Sequence, residues 1–144
     1  MEEKQRIKTF DDLEVYKNSY QAMLIVHREI LPKLPSEEKF DLVDQLRRST
    51  KAVPRLIAEG YSKRHQRKGF QKYLDDAMTE SNETIVSLSQ ARDLYPSYIA
   101  LPLCNTLIDA YDKTSRQLYN LALAWDKFNE RNRKTNSDTS YVTD

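Results

Sequence analysis

Nine cations crowd the stretch from Arg47 to Lys72 against one carboxylate, Glu59. They are Arg47, Arg48, Lys51, Arg55, Lys63, Arg64, Arg67, Lys68 and Lys72. The local surplus is +8 in a chain whose net charge is +1, so the other residues carry a surplus of −7. Charge gathered in this way gives a near-neutral molecule one positive face, suited to a polyanion or an acidic partner. Lysine and arginine neutralise phosphates, and that binding weakens steeply with salt. Tyr61, His65 and Phe70 lie among the cations and offer rings to unpaired bases. The candidate contacts with nucleic acid or a protein partner are Arg48, Lys51, Arg55, Lys63, Arg64, Arg67, Lys68 and Lys72. The same residues also fit two other roles. They can form a solvated face balanced by Asp75, Asp76 and Glu80, or Arg47 or Arg48 can pair with a carboxylate across a subunit interface. Arg47 follows Leu46 at the packed edge and is expected to be the structural arginine of the two.

Other chemistry finds little footing. His27 and His65 fall on different elements, and one cysteine, Cys104, does not make a metal site. Di-iron bundles need paired Glu-x-x-His motifs, and the chain has none. A phosphate loop and a nucleophile–base pattern are also absent. The expectation is no cofactor, no metal and no enzyme. Cys104 cannot form an intrachain disulfide and is expected to be a buried, inert thiol, which fits a cytoplasmic protein. No apolar run reaches the roughly 20 residues needed to span a bilayer, and Met1-Glu2-Glu3-Lys4 does not open a signal peptide.

The elements that must position the basic stretch are helices. Two glycines and five prolines leave few turns, and 39% apolar with 31% charged residues suits helices with wide solvated faces. The first helix is predicted over about residues 11 to 31, with Thr9 and Asp12 as a capping box. Its apolar stripe is Leu13, Tyr16, Tyr20, Met23, His27 and Ile30. The second starts near Ser36 as N-cap and ends at Gly60 as C-cap. Pro54 either kinks it or marks a short break between two helices. The third runs from about Phe70 to Leu94, with small residues in its stripe that allow close approach. The fourth begins near Pro102 and carries Leu103, Leu107, Ala110, Thr114, Leu118, Leu121, Trp125 and Phe128 at helical spacing. The fold class is all-α: an antiparallel up-down-up-down four-helix bundle over residues 1–130. A disordered polar tail is expected over 131–144.

Several motifs stand in this order: Phe10-x-Asp12-Leu13-x-Val15-Tyr16, Leu34-Pro35-x-Glu37-Glu38 and Gln45-Leu46-Arg47-Arg48-Ser49. Val53-Pro54-x-x-Ile57-Ala58-Glu59-Gly60-Tyr61, then Phe70, Leu74, Ala77 and Glu83, and Ala91-x-Asp93-Leu94 follow. Over about residues 10 to 95 the chain resembles the four-helix-bundle proteins encoded in intervening sequences of 23S ribosomal RNA genes. That family includes the accessory variability determinant proteins of diversity-generating retroelements. Leu56, Thr79-Glu80 and Tyr95-Pro96 depart from the residues often found at those places. The resemblance implies a homopentameric ring. It also implies a non-enzymatic accessory protein that binds RNA or DNA and a reverse transcriptase through basic surface. The alternative is a protein-interaction scaffold without a nucleic-acid role, whose basic stretch docks an acidic partner.

Overall fold

The computed structural model describes residues 7–66 and 68–143, and all regular structure among them is helical. Four long helices form the body: α1 (Glu14–Ile25), α2 (Leu42–Ser62), α3 (Gly69–Leu94) and α4 (Leu101–Thr143). Each packs on its two neighbours around a square, α1 on α2, α2 on α3, α3 on α4 and α4 on α1. The α2–α3 connection therefore lies at one end of the bundle, and the α1–α2 and α3–α4 connections lie at the other. Where the sequence suggested a polar tail from residue 131 on, the backbone of 131–143 continues α4.

The ends of α1 and α2 differ from the expected ones. Asp12 does accept the backbone N–H groups of Lys8 (2.8 Å) and Thr9 (3.2 Å), and these bonds hold its carboxyl below the usual carboxylate range. The cap, however, closes a single 3-10 turn (Phe10–Asp12), and α1 begins after the extended Leu13. Beyond Ile25 the chain widens into a π turn (Val26–Ile30) and tightens again at Leu31–Lys33, where Pro32 has no N–H to continue a regular ladder. Ser36 opens only a 3-10 turn. The first N–H of α2, on Leu42, is capped by Glu38 Oε2 at 3.1 Å. Glu38 Oε1 accepts the Tyr95 hydroxyl, so one carboxylate ties the α1–α2 and α3–α4 connections together.

The buried face of α1 is Val15, Ser19 and Ala22, continued by Val26 and Ile30; Tyr20 is exposed and His27 half-buried. The expected stripe followed the large side chains and so ran beside the buried one. Small Ser19 and Ala22 meet the neighbouring helices, while the tyrosines lie toward the edge. On α3 the predicted stripe largely holds: Phe70, Leu74, Ala77, Ser81, Leu88 and Ala91 are buried, while Ile85, also in the predicted stripe, is half-buried. Helix α2 stays continuous through Pro54, which is buried within it. Gly60 lies inside the helix and is no C-cap. A Cβ there would come 2.6 Å from Tyr73 Cβ and 3.1 Å from Phe70 Cδ1, so its smallness sets how closely α3 approaches α2.

The centre is partly polar. Thr84 donates to Ser49 Oγ (2.7 Å), Ser115 contacts Ser81 Oγ (2.8 Å), and Ser81 donates to the Tyr111 carbonyl (2.9 Å). These bonds satisfy the buried hydroxyls that let α2, α3 and α4 pack closely. Tyr111 is fully buried, its hydroxyl meets no partner among the described residues, and burial pushes its phenol far up.

Candidate nucleic-acid interface

The predicted contacts divide between a helix stripe and a turn. Arg47, Lys51, Arg55 and Arg48 all fall within an arc of about 100° on α2, from the helical repeat alone. All four are exposed. Arg47 is exposed on the subunit, while Leu46 before it takes the buried position. It is Arg48 that is paired, and within its own helix: Nε lies 3.2 Å from Asp44 Oδ2, one turn back. That pair is solvent-exposed and contributes little to stability. Arg48 also lines a groove of about 700 Å³ between α2 and α3, together with Gln45, Ser49, Glu80 and Glu83. Burial raises the Glu80 carboxyl first, and the nearby charge of Glu83 adds to the rise.

The turn gathers the rest. Lys63, Arg64, His65 and Lys68 are exposed in the α2–α3 connection, and Lys72 is exposed on the first turns of α3. Arg67 lies outside the described residues. Among the described residues no ion pair joins Lys63, Arg64, Lys68 or Lys72 to a carboxylate, so Asp75, Asp76 and Glu80 do not balance them by contact. Their neighbours are rings instead. Lys63 Nζ donates to the Tyr73 hydroxyl at 2.8 Å and lies 5.0 Å from that ring's centroid; Lys72 Nζ lies 5.8 Å from the same centroid. The bond to Tyr73 raises the Lys63 ammonium's pKa. The Arg64 guanidinium sits 4.0 Å over Tyr61 and donates to the Tyr61 carbonyl at 2.8 Å. Such contacts hold cations in place without neutralising them.

Lys68 holds the turn's sharpest bend, at φ 61, and caps the start of α3. Phe70 is buried (1% exposed) and offers no face to a base, contrary to expectation. It carries a chain of rings instead: Tyr61 at 6.0 Å, Trp125 at 5.1 Å and, beyond Trp125, Phe128 at 5.5 Å. Tyr73, Trp125 and Phe128 escaped the sequence reading of the site. The Lys72-Tyr73 pair was a visible signal, whereas the helical spacing of Trp125 and Phe128 matched a core stripe.

The sequence pattern of 23S rRNA-intervening sequence proteins matches residues 11–120. The chain belongs to that family. No match was found among curated proteins. The matched span takes in all four helix starts and the whole basic turn, while Trp125 and Phe128 lie beyond it. For this family member the described residues contain no group of His, Cys, Asp and Glu able to hold a metal ion. No helix among them is long and apolar enough to cross a membrane. Cys104 is buried, its thiol lies 3.4 Å from the Leu88 carbonyl, and burial pushes its pKa up, away from the reactive thiolate.

Proposed function

We propose that this protein is a non-enzymatic, oligomeric accessory protein that binds RNA or DNA at the α2–α3 turn and works beside a reverse transcriptase, as in diversity-generating retroelements. One observation carries the reading: Lys63, Arg64, Lys68 and Lys72 crowd one end of the bundle and meet no carboxylate there. Arg55 and Lys51 extend the positive surface up α2. The subunits close into a homopentameric ring in the cytoplasm. Support for self-association comes from exposed Tyr20, Tyr119 and Leu123. Two grooves on opposite sides of the square add to it, one between α2 and α3 and a smaller one of about 280 Å³ between α1 and α4. Unlike faces that meet head to tail close into a ring when the rotation between subunits divides the circle. The net charge of +1 favours one second reading, a scaffold whose turn docks an acidic protein, since dedicated nucleic-acid binders are usually more basic.

The test is a charge reversal, Arg64→Glu with Lys68→Glu and Lys72→Glu, assayed against structured RNA and duplex DNA over a salt series. The helix content should hold while affinity falls at least tenfold and the salt dependence flattens. Unchanged binding would remove the turn as the site. Absence of binding by the unaltered protein at low salt would leave the scaffold reading.

A further inference from the structure

We propose, on the basis of the nucleic-acid reading above, that the α2–α3 end selects unpaired nucleotides, using Arg64 on Tyr61 and the Phe128 ring as stacking surfaces. Duplex binding needs cations alone, because a duplex presents phosphates and hides its base faces. This end offers more than cations. The Arg64 guanidinium sits 4.0 Å from the Tyr61 ring centroid, and guanidinium planes stack on bases. Phe128 is 52% exposed on α4, so part of a large apolar ring faces solvent. It is not an isolated surface ring. Trp125 packs against it, and buried Phe70 links Trp125 to Tyr61, with ring centroids 5.1 to 6.0 Å apart along the series. Gln71 Nε2 donates to the Ala122 carbonyl at 3.4 Å and fixes this part of α4 beside the start of α3. A single strand uses both features of this end: its phosphates follow the charge of the turn, and its bases lie on exposed rings.

Trp125 is the only tryptophan and touches Phe128, so its fluorescence reports a base placed there. The experiment titrates the full-length protein with a short unstructured RNA strand and with a blunt RNA duplex carrying the same number of phosphates. The expected result is tighter binding of the strand, with quenching of Trp125 by the strand alone. Phe128→Leu keeps an apolar side chain but removes the π face, and Arg64→Lys keeps the charge but removes the plane. Phe128→Leu should weaken strand binding about tenfold and leave duplex binding unchanged, and Arg64→Lys should weaken strand binding more than duplex binding. Equal affinity for both probes with Trp125 unquenched overturns the inference and leaves phosphate binding by the turn standing. Equal weakening on both probes in the two variants also overturns it. No binding of either probe at low salt overturns the proposed function itself.

Discussion

Lys68 shows at the scale of one residue how the site and the fold make opposing demands. Its φ of 61 is one that L side chains adopt at a cost, and glycine adopts freely. Gly69 follows immediately, but a Cβ there would meet the Lys63 carbonyl oxygen at 2.7 Å, so the glycine relieves a steric contact one residue after the bend. The bend itself thus falls on a lysine, which keeps a cation on the turn. Lys68→Gly should raise stability by about 0.5–1 kcal/mol in urea unfolding, as the strain is released. The same variant should bind RNA more weakly. A variant no more stable than the parent would show that the turn holds Lys68 without strain. No sequence pattern signals this: lysine has no left-handed preference, and the glycine beside it is the natural candidate for the bend. Arg47 shows a similar limit: adjacency to buried Leu46 says nothing about angle, and a 100° step carries it to the subunit surface.

At the scale of elements, the π turn after α1 meets α2 over a polar contact that the sequence hid inside an apolar stripe. His27 Nε2 lies 3.0 Å from the Thr50 hydroxyl, which donates at 2.6 Å to the Leu46 carbonyl. The hydroxyl's proton is therefore committed, and the ring nitrogen must be the donor. Burial first, then the charges of Lys51 and Arg47, lower the His27 pKa, against a smaller opposing effect of the Arg47 backbone. A folded-state pKa below the unfolded value means that the unfolded chain binds the proton more readily. The stabilising contribution is complete above the ordinary histidine value of about 6.5 and is lost as pH falls through the lowered one. The urea midpoint of the protein should thus drop between neutral and mildly acidic pH. His27→Gln, which keeps a donor and does not titrate, should lose that part of the drop. The same drop in both proteins would place the pH dependence elsewhere. The spacing of large residues made the helices themselves legible, and on α3 most of the buried stripe, though buried Thr84 and Ser87 lay outside it. What escaped was contact chemistry: a Glu38 side chain as the cap of α2, and small Ser19 and Ala22 as the packed face of α1, because neither announces itself by hydrophobicity.

At the scale of the whole molecule, the charge balance limits what one subunit can do alone. The surplus of +8 over Arg47–Lys72 is offset elsewhere to +1, so long-range attraction to a polyanion is weak and binding depends on local contact. A single turn offers Lys63, Arg64, Lys68 and Lys72 among the described residues. On a single strand, four neutralised phosphates give a log–log salt slope near −3. A ring would set several such turns side by side and convert weak contacts into strong binding through effective concentration. A strand just long enough for one turn should therefore give a slope of about −3. A strand several times longer should give a distinctly steeper slope and much tighter binding, under conditions where light scattering reports the assembled species. Equal slopes for short and long strands would mean that each subunit binds alone. In that case the stacking surfaces of Tyr61, Arg64 and Phe128, rather than repetition of charge, would have to supply the affinity.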